Sequence, residues 1–276
     1  VIRGLLGQPF VELDAHLDLA PLAAIHEEIC LGLTQVPVDY TGGSHRTMGI
    51  VPPSRDAEVL VDYGEVIREL DDDGFRTLRS LADDPTLIPA DLGKRERAAL
   101  EFGEERDHPL SRRQMLWLKL RHGVYFPWKV YFEMIPNQRW SDKSSAAGKA
   151  FTRLARTFFP KTVAYAESLP FASIGRCNIM GLEGHDHGTV HRDGEPDAHG
   201  EGLPDHFITF CPRANKRLFL WDEDERRKTF VTGRAYWFND HDYHGVDADP
   251  FFRYSVRVDG VFRPDFLERV RAGSGR

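Results

Sequence analysis

Cysteine is scarce here. Cys30, Cys177 and Cys211 are the only three in 276 residues, an odd and scattered set with no Cys-x-x-Cys pair. That excludes a disulfide framework and a cysteine-ligated zinc module. Long apolar runs are also missing, and none approaches the ~20 residues that a bilayer span requires. The opening VIRGLLGQPF lacks the pattern of a secretory leader. Positive charge is not in excess: 36 Lys+Arg against 43 Asp+Glu leaves a net charge of −7, a poor footing for binding a phosphate backbone. There is no internal repeat and no low-complexity tract. A Gly-x-Ser-x-Gly elbow is absent, which disfavours a serine hydrolase. Gly148-Lys149 is no phosphate loop, because no glycine precedes it at the required spacing and no Ser or Thr follows. The expectation is a cytoplasmic protein that works on a small molecule, with no nucleic-acid and no membrane partner. Oligomeric state stays open.

What is present suffices for a substantial core. Hydrophobic residues make up 41% and aromatics 11% of the chain, and the length suits one large domain or two small ones. The first third reads as mostly helical. Leu19, Leu22, Ile25, Ile29 and Leu33 recur at three- and four-residue spacing, which places them on one helix face. Tyr40 to Arg55 reads as loop and short extended pieces, and Asp71-Asp72-Asp73-Gly74 as a solvated turn. Val124 to Ile135 suggests a strand pair or a core segment, with Pro127 against an uninterrupted central strand. Gly148 to Ser168 reads as one amphipathic helix. After Pro170 the texture changes, with β-like runs at Ala172–Met180, His206–Cys211, Arg217–Trp221, Lys228–Val231, Ala235–Phe238 and Phe252–Phe262. The charged Asp222–Arg227 suits a hairpin tip. Short strands at this spacing suggest an antiparallel sandwich or barrel. The expected fold is mainly β with α: a helical region over 1–120, packed on a β-barrel over 121–276.

The histidines cluster. Seven of the 12 lie between His185 and His244, including His187, His191, His199, His206 and His241. In His191-Arg192-Asp193, residues i and i+2 of a strand point the same way, so an imidazole and a carboxylate can meet one metal. A second imidazole from a distant strand would complete a two-histidine, one-carboxylate face and leave positions open on one side of Fe(II). The triplet alone says little. With 12 histidines in the chain about one His-x-Asp arises by chance, and another stands at His16-Leu17-Asp18. The later triplet gains weight from its surroundings. Gly233 and a strand-like run lead through Asn239-Asp240-His241-Asp242-Tyr243 to His244. Nine residues on, Arg253, Ser255 and Arg257 share one face of an alternating strand. A guanidinium lining a barrel near a metal suits a carboxylate held at two points, and the dicarboxylate 2-oxoglutarate fits, one end on iron and the other on Arg.

On these residues the stretch from Arg176 to Asp259 resembles the Fe(II)/2-oxoglutarate dioxygenases of the aspartyl/asparaginyl β-hydroxylase type, a group close to the proline cis-hydroxylases. The matching pieces are Arg176, Val190-His191-Arg192-Asp193-Gly194, Gly233 to Asp240, His244, and Arg253 with Val256-Arg257-Val258-Asp259. The resemblance implies a double-stranded β-helix, that is, a jelly-roll or cupin-like barrel. It implies His191, Asp193 and His244 as iron ligands, and Arg253 as anchor of the distal 2-oxoglutarate carboxylate with Ser255 assisting. The implied reaction uses O2 to hydroxylate an aliphatic carbon of an amino acid or peptide-derived substrate, with release of succinate and CO2. Because Asp193 fills the carboxylate position, a halogenase is disfavoured. Arg176, His206 and Arg257 are candidate substrate residues. The family often carries an Arg or His pair where this chain has Asp205-His206-Phe207-Ile208.

Plainer readings stand beside these. His185-x-His187 with His244 would suit a zinc or manganese cupin, including a non-enzymatic one. A protein side chain is an alternative substrate. Arg253 could serve a structural ion pair, and Arg257 could pair with Asp240 or Asp259. His199 and His241 suit solvent-facing or supporting positions, and Trp221 and Trp237 suit packing.

Overall fold

The computed structural model describes residues 1–38, 50–51, 61–100, 102, 108, 110–126, 130–136, 142–194 and 204–274. Two antiparallel sheets carry the C-terminal half. The first contains β1 (Phe10–Glu12), β3 (Val130–Ile135), β4 (Phe171–Leu182), β6 (Phe207–Phe210), β9 (Ala235–Phe238) and β11 (Arg253–Phe262), in the order β1-β9-β6-β11-β4-β3. The second contains β2 (Ile50–Val51), β5 (Gly188–Asp193), β7 (Leu218–Asp222), β8 (Arg227–Phe230) and β10 (His244–Val246), in the order β2-β5-β10-β7-β8. From β4 onward the chain passes from one sheet to the other at each strand, except for the β7–β8 hairpin. No strand among the described residues joins the two sheets, so they do not close into one hydrogen-bonded barrel.

Alternation decides which face of the first sheet is dry. Cys177 and Ile179 of β4, Val256 and Val258 of β11, and Ile208 and Phe210 of β6 are fully buried. They join one apolar cluster with α1 (Leu22–Gly32), α6 (Arg153–Phe158), α7 (Pro160–Ser168) and α8 (Pro264–Ser274). The intervening residues, among them Arg176, Asn178, Arg257 and Thr209, point to the opposite face, toward the second sheet. A separate cluster, built on Tyr63, Phe75, Leu78, Met115, Leu118 and Phe126, holds α2 (Tyr63–Glu69), α3 (Asp72–Ser80), α4 (Lys94–Ala99) and α5 (Arg112–His122). The N-terminal helices therefore serve two cores: α1 belongs to the sheet, and α2–α5 to their own cluster.

Several elements differ from the sequence reading for definable reasons. The helix expected over Gly148 to Ser168 is two short ones. Pro160 opens the second, and Phe159 before it leaves helical geometry at φ −132°, as the residue preceding a proline must. The acidic triplet starts a helix: the Asp71 carboxylate accepts from the Gly74 amide at 2.7 Å, and Asp72 and Asp73 lie in the first turn of α3, where the helix dipole favours negative charge. Asp222 and Arg227 pair in register across the β7–β8 turn, the expected hairpin tip. Pro127, and most of the stretch Tyr40 to Arg55, lie outside the described residues.

Candidate metal centre

β5 and β10 run antiparallel with His191 and His244 directly opposed in register. Asp193, two residues beyond His191, lies on the same strand face. His191, Asp193 and His244 each offer one ligand atom, and the three atoms lie within 4.8 Å of one another. Asp193 Oδ1 is 3.5 Å from His191 Nε2 and 3.8 Å from His244 Nε2. Both rings are fixed from behind. His191 Nδ1 is 2.7 Å from the Thr189 carbonyl and His244 Nδ1 is 2.9 Å from the Asp242 carbonyl. A carbonyl only accepts, so each Nδ1 carries a proton and each Nε2 is the ring atom left facing Asp193. Gly245 lets the strands approach: a Cβ there would lie 2.7 Å from the Phe219 ring and 3.0 Å from the Gly188 carbonyl oxygen.

The second carboxylate oxygen of Asp193 is held separately. Asp193 Oδ2 is 3.3 Å from Arg257 Nη1, and the Asp193 amide donates to the Asp240 carbonyl at 2.8 Å. Arg257 also reaches Asp240 at 2.6 Å and Asp259 at 2.9 Å, and its guanidinium lies 3.8 Å from the centre of the Phe207 ring. Asp259 pairs with Arg176 at 2.9 Å, and Lys143 bridges Asp240 at 3.0 Å and Asp205 at 2.7 Å. Burial pushes the Asp193 carboxyl up, but His244, Arg257, His191 and Lys143 outweigh it and bring its pKa down to about 2. Burial, reinforced by His191, lowers His244 to about 4. At neutral pH the set is one carboxylate and an uncharged His244 imidazole, the protonation a metal ligand needs.

The triad opens into a cavity between the sheets. His191, Asp193, His244 and Val246 line it from one side, and Arg176, Asn178, Met180 and Arg257 from the other. Lys216, on the loop before β7, also lines it and is only 2% exposed. Burial pushes its ammonium down to a pKa of about 8.

The other candidates are placed as follows. Arg253 does not line this cavity. Its Nη1 and Nη2 donate to the carbonyls of Glu183 at 3.1 Å, Asp247 at 2.7 Å, Asp186, and Phe251 at 3.4 Å, and its Nε faces Asp249. It fastens loops. Ser255, buried two residues before Arg257, carries an Oγ with no hydrogen-bond partner among the described residues. His206 stands away from the triad, stacked on Phe262 at 4.6 Å with its Nδ1 accepting from the Phe262 amide. Arg176 and Arg257 do line the cavity, each paired to aspartate. His185 and His187 are exposed and join no ligand cluster among the described residues. His241 sits near Asp205 and Asp240, where the Lys143 ammonium already bridges the two carboxylates. Trp237 is buried, its Nε1 donating to the Asp205 carbonyl. His199 lies outside the described residues. Sequence reasoning missed Lys216, Lys143 and Asn178. None belongs to a motif, and only their places in the fold mark them.

No helix among the described residues is long and apolar enough to cross a membrane. No family model matches the sequence, and no curated protein matches it significantly. Among solved structures, the chain is similar over 47% of its length to 76% of the collagen prolyl hydroxylase of Paramecium bursaria Chlorella virus-1, solved as a 2OG complex, at 8% identity and a TM-score of 0.26. It is also similar over 88% of its length to 100% of a Pseudomonas putida prolyl-4-hydroxylase, at 12% identity and a TM-score of 0.27.

Proposed function

We propose that the protein is an Fe(II)- and 2-oxoglutarate-dependent dioxygenase that hydroxylates an aliphatic carbon of an amino acid or peptide-derived substrate. The observation that carries this is the meeting of His191, Asp193 and His244 with both Nε2 atoms turned to one point. Two imidazoles and one carboxylate on one side of an ion leave coordination positions open, a donor set that suits non-haem Fe(II). Strand order supports the same reading. Counting β4 to β11 as one to eight, the sheets run 6-3-8-1 and 2-7-4-5, the order of an eight-stranded jelly roll, or double-stranded β-helix.

Fe(II), with 2-oxoglutarate and O2, supplies the oxidising chemistry, whose products are succinate, CO2 and a hydroxylated carbon. This chain's part is to hold and orient. Asp193 would hold the metal through Oδ1, while Arg257 engages Oδ2. Phe238, whose ring lies 5.0 Å from that of His244, and Val246 keep the site dry. A dicarboxylate reaching inward from the metal needs a buried cation, and we assign that role to Lys216, which lines the cavity, in place of Arg253, which does not. The unpartnered Ser255 Oγ, on the same face of β11 as Arg257, is available to assist. A cupin-type centre on His185, His187 and His244 has no comparable geometry.

The test is anaerobic loading with Fe(II) and 2-oxoglutarate, then exposure to O2 and assay of succinate beside His191→Ala and Lys216→Met. Metal-dependent succinate from the native protein, absent in His191→Ala and strongly reduced in Lys216→Met, is expected. A native protein that binds neither Fe(II) nor 2-oxoglutarate overturns the proposal.

A further inference from the structure

The wall facing the triad contains a hydrogen-bond relay whose direction is dictated by its last member. Glu133 and Asn178 are opposed in register between β3 and β4, and Tyr131 lies beside them. The Tyr131 hydroxyl donates to Glu133 Oε1 at 3.2 Å and accepts from Asn178 Nδ2 at 3.0 Å. A carboxylate accepts only, and a phenol has one proton to give. With that proton on Glu133, Tyr131 can only accept from Asn178, so the amide must turn its nitrogen toward Tyr131. Its oxygen is left on the far side. Asn178 is fully buried and lines the cavity, and its Oδ1 has no hydrogen-bond partner among the described residues. An acceptor left unmatched in a buried wall is unfavourable, and a ligand that supplies the donor removes that cost.

Asn178 is also close to the chemistry. It is in register with Arg257, whose guanidinium touches Asp193. The arginines on this wall are ion-paired, Arg176 with Asp259, and Arg257 with Asp193, Asp240 and Asp259. A substrate carboxylate placed beside Asn178 would set acceptor against acceptor. We propose that Asn178 is a substrate-binding residue that receives an N–H donor, the ammonium of a free amine or the N–H of an amide, and so selects nitrogen-bearing substrates for this site. The inference rests on the dioxygenase reading and adds to it the residue that recognises the substrate's nitrogen, but the selectivity resides in the protein wall and is measurable without turnover.

The experiment is ligand-observed NMR titration of isobutyramide, isobutylamine and 3-methyl-2-butanone, the last a near-isostere of the amide with methyl in place of NH2. The native protein, Asn178→Leu and Tyr131→Phe are titrated metal-free and with Zn(II), and Zn(II) binding is measured separately by calorimetry. In the native protein one of the two N–H probes should bind about tenfold tighter than the ketone. The tighter of the two identifies an amine or an amide source. The preference should vanish in Asn178→Leu and shrink in Tyr131→Phe, which keeps the ring and so guards against misfolding of the first variant. Equal binding of ketone and N–H probes, a preference that survives in Asn178→Leu, or no binding of any probe overturns the inference. Discrimination by a protein that does not bind Zn(II) would leave it standing and sink the metal reading alone.

Discussion

Lys216 and Arg253 are both buried cations near one cavity, yet their surroundings differ in kind. Four carbonyls accept from Arg253, whereas Lys216 lines the cavity itself. Lys216→Met should therefore weaken 2-oxoglutarate binding by about tenfold or more, the loss of one charge-assisted bond. Arg253→Met should leave that affinity unchanged but cost about 3 kcal/mol of stability by orphaning loop carbonyls. Calorimetry and urea unfolding read the two effects; loss of affinity in Arg253→Met alone would reverse the assignment. The pH dependence has a definite sign. Burial lowers the Lys216 pKa to about 8, with Arg253 and Arg257 lowering it further and Cys211 raising it. Below that value the ammonium is charged, the state that the proposed pairing with an anion requires. As pH rises through it, the dissociation constant should climb by about tenfold per unit, and the slope should be absent in Lys216→Met.

Among elements, β10 is only three residues long, yet it carries His244, and its place is set by packing. Phe219 of β7 and Gly188 of β5 crowd it from both neighbours at Gly245. Gly245→Ala drives the Phe219 ring aside and presses β10 away from the Gly188 carbonyl of β5. It should cost about 1–3 kcal/mol and loosen metal binding, because His244 moves with the strand. Unchanged Zn(II) affinity in a folded Gly245→Ala protein would show that β10 does not position its histidine. The same dependence on local chemistry explains α6 and α7. A hydrophobic period running from Phe151 to Val163 reads as one helix, but Pro160 supplies no amide and bends its predecessor out of helical geometry. Thr152, whose hydroxyl accepts from the Ala155 amide at 3.1 Å, starts the first piece.

For the molecule as a whole, the triad ties the ends of β5 and β10, which lie about fifty residues apart in the chain but side by side in one sheet. A metal that binds only the folded state must stabilise it by mass action, by about 2.7 kcal/mol at a free concentration one hundred times its dissociation constant. Thermal unfolding with and without Zn(II) should show the rise in Tm, and chelation should abolish it. The same rise in His244→Ala would mean that the metal sits elsewhere. The cluster of α2–α5 shares no ligand with the centre and should contribute nothing to that shift.

Much of this was legible in the chain. Period-two alternation marks Arg253–Phe262, opposite charges mark the Asp222–Arg227 tip, and the cysteine count excludes a thiolate centre. His191 and Asp193 are legible as a pair, since side chains two apart on a strand share a face by local geometry alone, whereas His244 as the third member was implied only by the resemblance to the Fe(II)/2-oxoglutarate dioxygenases. Which cation lines the cavity was not legible. Alternation puts Arg253 and Arg257 on one face and the resemblance favours Arg253 as the anchor, but Arg253 pairs with Leu182 at the end of β4, where loop carbonyls turn inward, and Arg257 pairs with Asn178 in the middle of the sheet. Lys216 belongs to no pattern, and loop closure around β7 brings it to the cavity. The Asn178–Tyr131–Glu133 relay likewise exists only once β3 docks on β4. Local alternation sets which way a side chain points. Register and loop closure between distant segments set what it meets, and only the folded chain decides that.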